Sequence, residues 1–124
     1  MKKKGGIVVF TDGRGPGPDG HRSAFAWVRQ DGTGQAVQER TGITSNEAEY
    51  LAILAAIEAM PVGASVEIRT DSLLAKAQLC GEYRIRDVKL AKLAGQIKTV
   101  AHKKRLSLKV SWISRKGNLA GKLL

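Results

Sequence analysis

SVEIRTD, residues 65 to 71, decides how this chain folds. Val66, Ile68 and Thr70 alternate with Glu67 and Arg69, the period of a half-buried strand. A helical segment from about Ser45 to Met60, stopped by Pro61, precedes it, so the strand can lie parallel to a neighbour through a crossover. GIVVFTD, residues 6 to 12, reads as a buried strand stopped by Gly13 and ends in the same Thr-Asp pair. Side by side, the two strands would bring Asp12 and Asp71 together at their carboxyl ends, where open mixed sheets collect function.

Outward from these strands, RGPGPDG at residues 14 to 20 must be a loop. SAFAWVRQ at 23 to 30 and QAVQERTGI at 35 to 43 are strands joined through DGTG, a hairpin signal, and complete an antiparallel meander with the first strand. Residues 72 to 80 form a short helix ended by Gly81. From about Asp87 to Lys104 a longer helix carries Leu90, Leu93, Ala94, Ile97 and Val100 on one stripe, with Lys89, Lys92, Lys98 and Lys103 off it. LSLKVSW at 106 to 112 is a fifth strand, and a short helical tail follows. The expectation is an α/β fold of five mixed strands, three antiparallel and then two parallel, flanked by helices in one domain of residues 1–124.

The composition narrows the function. Cys80 is the only cysteine, which excludes an intrachain disulfide and a cysteine-based zinc site and favours a reducing, cytoplasmic setting. The apolar run after the N-terminal lysines is too short for a secretory signal, and no stretch is long enough to span a membrane. Residues 1 to 76 hold nine Lys/Arg and nine Asp/Glu, so the net charge of +10 arises entirely from the last 48 residues. That skew reads either as a solvated basic helix or as a surface for a polyanion, whose phosphates release counterions to clustered cations.

Three acids stand out against ordinary alternatives. An ionised Asp12 at the end of a buried strand is costly without a cation or donors, although a turn aspartate before glycine is the plain alternative. Thr44 and Glu47 form a capping-box pattern, and at 100° per residue Glu58 lies about 20° from Glu47 while Glu49 lies about 160° away. Glu49 therefore points to the packed side, among Ala48, Ala52, Ile53 and Ala56, where a mere helix-terminal acid has little reason to be. Asp71 could simply cap the helix after it. Acids converging from separate segments are how proteins hold magnesium for phosphate chemistry.

In order along the chain, FTDG (10 to 13), TSNEAEY (44 to 50), RTDS (69 to 72) and WISRKGN (112 to 118) resemble the motifs of type 1 ribonuclease H, which cuts the RNA strand of RNA/DNA hybrids. GEYRIR at 81 to 86 is similar to the bacterial and archaeal branch without the long basic protrusion. The resemblance spans nearly the whole chain. It implies that Asp12, Glu49 and Asp71 ligate two Mg²⁺ ions, with Mn²⁺ as a substitute, and that products carry 5′-phosphate and 3′-hydroxyl ends. It also implies that Thr44 and Asn46, with Ser45 between them, contact the nucleic-acid backbone, although Thr44 and Asn46 could equally be helix caps; Gly13 is expected at the substrate as well, and Arg115, in the loop that lacks the family's histidine, is expected to assist at the phosphate instead. Binding through 2′-hydroxyls and groove shape would be largely independent of sequence.

Two departures qualify the resemblance. The family's fourth acid falls on Lys122 without a gap and on Gly121 with one, and neither side chain can ligate a cation. The nearest candidate is Asn118, a neutral magnesium ligand or else a loop or helix-capping residue. The family's histidine after the last strand is also missing, and His102 reads as a surface residue. The expectation is thus a monomeric endonuclease on RNA/DNA hybrids without a small-molecule cofactor. The alternatives are a catalytically weakened hybrid- or double-stranded-RNA-binding module, or a relative acting on duplex DNA.

Overall fold

The computed structural model describes residues 6–18 and 22–124, so Asp19 and Gly20 of the expected loop lie outside the described residues. Five strands form one mixed sheet in the order β3-β2-β1-β4-β5. They are β1 (Ile7–Arg14), β2 (Ser23–Arg29), β3 (Gln35–Arg40), β4 (Ser65–Thr70) and β5 (Ser107–Trp112). β1 runs antiparallel to β2, β2 to β3, and β4 lies parallel to both β1 and β5, as expected. This is the five-stranded mixed α/β arrangement expected from the sequence.

Helix α1 (Ser45–Glu58) covers β1 and β2, and α3 (Val88–Lys103) packs on α1. Ile53, Ala56 and Ile57 of α1, Val9, Val66 and Ile68 of the sheet and Leu90, Ala94 and Ile97 of α3 share the main core. Burial of this apolar surface is the principal force holding the layers together. Helix α2 (Leu73–Leu79) sits beside β4 and β5. The lysines Lys89, Lys92, Lys98 and Lys103 lie on the exposed side of α3, and His102 is exposed. No helix among the described residues is long and apolar enough to cross a membrane.

Several boundaries shift for local reasons. β3 ends at Arg40, short of Ile43, because Gly42 turns with φ +78°. α1 stops at Glu58, and Ala59 closes its last turn before Pro61. β1 continues two residues past the expected end: Asp12, Gly13 and Arg14 pair with Ala26, Phe25 and Ala24 of β2. On its other side β1 loses its partner at the Thr11–Thr70 pair, so Asp12 stays in the sheet on one flank and opens beside Asp71 on the other. The tail folds as two short 3₁₀ turns, Arg115–Gly117 and Leu119–Leu123, the second packed against β1 and β2.

Candidate metal centre

Three elements deliver the three acids. Carboxylate oxygens of Asp12 (β1), Glu49 (α1) and Asp71 (after β4) lie within 4.8 Å of one another, and all three residues are half-buried. For Glu49 and Asp71 the ordinary alternatives are taken by their neighbours. Ser72, not Asp71, caps α2, its Oγ accepting from the Ala75 N–H at 3.1 Å. Glu47, not Glu49, completes the capping box with Thr44, both of its hydrogen bonds being 3.1 Å. Neither Glu49 nor Asp71 is therefore spent on ending a helix.

Close backbone packing makes the approach of Glu49 possible. A Cβ on Gly13 would lie 2.4 Å from the Ala48 carbonyl carbon and 2.5 Å from the Glu49 nitrogen, so only glycine lets β1 touch the first turn of α1. The Gly13 N–H then donates to Glu49 Oε1 at 2.8 Å and to Asp12 Oδ1 at 3.0 Å. Gly13, expected to contact substrate, has its only donor committed to these two carboxylates. Asp71 is placed by the ends of β4 and β5: the Trp112 Nε1–H donates to its backbone carbonyl at 3.2 Å, while its Oδ2 is buried without a hydrogen-bond partner among the described residues.

The electrostatics call for a cation. Burial, then the negative charges of Asp12 and Asp71, push the Glu49 carboxyl up to about 9, against the weaker opposing pull of the Gly13 N–H and Arg115. Burial and then Asp71 raise Asp12 to about 6. Among the described residues, no lysine or arginine forms an ion pair with any of the three. Clustered carboxylate oxygens, one of them an orphan, fit a hard divalent cation such as magnesium or manganese.

The tail meets the cluster from the other side. Asn118 is almost fully buried at 1% exposure; its Nδ2 donates to the Thr11 carbonyl at 2.9 Å and its Oδ1 accepts from the Ala120 N–H at 3.1 Å. Its side chain thus holds the tail to β1 and caps the last turn, the capping role set against ligation in the sequence. Gly121 lies nearest the acids: a Cβ there would sit 3.0 Å from Asp12 Oδ2. The exposed Arg115 is close enough to lower both shifted carboxyls, whereas Thr44, Ser45 and Asn46 stand exposed at the start of α1.

A family model described as reverse transcriptase-like matches residues 16–124. The chain belongs to that family. As a reverse transcriptase-like protein, it has Glu49, Asp71 and Asn118 inside the matched stretch, while Asp12 precedes it and is joined to the others by geometry. The fold resembles RNase H1 from the halophilic archaeon Halobacterium salinarum NRC-1, with TM-score 0.80 and 25% identity over 97% of this chain and 94% of that one. It also resembles LC11-RNase H1, solved in complex with an RNA/DNA hybrid and isolated from compost by a metagenomic approach, with TM-score 0.82 and 26% identity over 95% of this chain and 92% of that one. The N-terminal RNase H domain of a Mycobacterium tuberculosis protein shares the fold at TM-score 0.75 and 22% identity, over 90% of this chain and 84% of that one. No curated protein matches the chain in sequence. The RNase H1 likeness and the acid cluster support a nuclease of this fold.

Sequence reasoning missed Arg14, Lys116 and Lys122 as binding residues; they line a cleft of about 440 Å³ together with Asp12, Arg115 and Gly121. The signal for Lys116 and Lys122 was the basic C-terminal skew, which gave a charge without a place, whereas Arg14 lies outside that skew.

Proposed function

We propose that this protein is a divalent-metal-dependent endonuclease that hydrolyses the RNA strand of RNA/DNA hybrids, leaving 5′-phosphate and 3′-hydroxyl ends. The observation that carries the reading is the convergence of Asp12, Glu49 and Asp71 within 4.8 Å from three separate elements. The hybrid bound to LC11-RNase H1 supports the choice of substrate.

Asp12, Glu49 and Asp71 would hold the metal, which supplies a water acidic enough to attack at neutral pH and neutralises charge on the phosphate. The Gly13 N–H fixes Glu49 Oε1, and the Trp112 indole fixes the backbone carrying Asp71. Arg115 meets the phosphate beside the acids. Ser45 and Asn46 face solvent at the N-terminus of α1, where their polar groups and the helix dipole suit a sugar-phosphate backbone. Thr44 sets the start of that helix through its capping box.

One observation favours a second reading, a module that binds hybrid without cutting it: Gly121, against Asp12, carries no fourth carboxylate. Labelled RNA/DNA, RNA/RNA and DNA/DNA duplexes, incubated with Mg²⁺ or Mn²⁺, separate the two. The nuclease reading expects metal-dependent cutting of the RNA in the hybrid alone, with 5′-phosphate ends. Tight hybrid binding with no product would favour the module.

A further inference from the structure

Beside the acid cluster lies a second feature with the opposite charge. The cleft of about 440 Å³ has Asp12 on one wall, while Arg14, Arg115, Lys116 and Lys122 supply four cations around the rest, and among the described residues no other acidic side chain lines it. Two details join it to the acids. Gly121 forms the boundary, and because any side chain there would begin 3.0 Å from Asp12 Oδ2, its absence keeps the cleft continuous with the carboxylates. Arg14, which lines the cleft, donates through Nη1 to the main-chain oxygen of Leu124 at 3.0 Å, while its Nε is buried without a partner among the described residues. An N–H of a guanidinium so placed is costly until it meets an acceptor.

We infer that this cleft is a phosphate-binding subsite that grips a second phosphodiester of the strand whose neighbouring linkage lies over the three acids. The inference rests on the nucleic-acid reading above and extends it to residues outside the metal centre. Its chemistry is simple: one wall prepares for a cation, the other for an anion, and a polynucleotide strand spanning both would present phosphates to each. Positive charge at the tail then compensates for what Gly121 omits, by holding substrate rather than metal.

Lys116 and Lys122 are exposed and can be changed without disturbing the core. Binding of a labelled RNA/DNA hybrid in the presence of a chelator is compared for wild type, Lys116→Gln/Lys122→Gln and the charge-matched Lys103→Gln/Arg105→Gln. The latter pair lies where α3 leads into the start of β5, at the opposite end of the sheet from Asp71. The cleft pair should weaken binding by about tenfold near 0.1 M salt and reduce the log–log salt slope by about one, while the distant pair changes little. Equal losses in both variants, or none in the cleft variant, overturn the inference and leave the nuclease reading standing. Failure of the wild type to bind or cut any hybrid defeats both.

Discussion

The two walls of the acid cluster are built by different means. On the helix side, β1 and α1 meet backbone to backbone, with Gly13 against Ala48 and one N–H shared by Asp12 and Glu49. On the tail side come two short 3₁₀ turns, the second packed on β1 and β2, around a buried amide, Asn118, bonded to Thr11 and Ala120. The first wall fixes where charge is concentrated, and it tolerates almost no added volume. The second holds a cationic surface beside that charge, with Asn118 as its buried polar tie and Arg14 bonded to Leu124 at its end. The difference teaches that the metal-binding and strand-binding halves of the site can be damaged separately.

The sharpest way to break the helix-side wall chemically is Glu49→Gln. Cleavage of hybrid should fall about 100-fold or more, since a ligand charge is lost while Oε1 can still accept from Gly13. Metal-free stability at pH 8 should rise, because the substitution removes a carboxyl that the fold prefers neutral. An active variant, or one less stable at pH 8, would count against the assignment. Gly13→Ala attacks the same wall sterically. Its Cβ cannot be accommodated without separating β1 from α1, so urea denaturation should show a loss of about 2–3 kcal/mol.

On the tail side, Asn118→Ala leaves the Thr11 carbonyl and the Ala120 N–H buried without their partners, a loss of about 2 kcal/mol in the same denaturation experiment. If Asn118 mattered mainly as a ligand, divalent-metal affinity would collapse while stability held. The cluster also sets a pH dependence. The folded pKa of Glu49 lies near 9 against an ordinary 4.5, so the native state binds more protons than the unfolded chain between those values. Metal-free stability should therefore decline as pH rises through that window. A divalent cation binds the ionised form and opposes the decline, so the melting shift produced by Mg²⁺ should grow from pH 5 to pH 9. A shift largest at pH 5 would contradict the cluster.

Most of this architecture was legible because hydrophobic period and chain order constrain it. The alternation in β4, the capping box at Thr44 and Glu47, and the stripe on α3 each define an element without knowledge of its partner. Helix geometry alone separated Glu49 from Glu47. What the sequence left open depends on contact between distant segments. That β1 carries Asp12 onward against β2 while parting from β4 at Thr70 follows from two different pairings of one strand. The need for glycine at position 13 appears only when α1 is laid across it, and the hydrogen bond from Asn118 to the Thr11 carbonyl spans 107 residues. The cations of the cleft were visible as charge, but only the folded tail gathers them around Asp12.

The central claim is that the three acids form a metal site that cuts hybrid RNA. It is tested most directly by following a labelled RNA/DNA hybrid with wild type in Mg²⁺, wild type in chelator, and Asp71→Asn in Mg²⁺. The account predicts product only in the first reaction, with Asp71→Asn still folded and still binding hybrid. Full cleavage by Asp71→Asn, or by the chelated wild type, would contradict it.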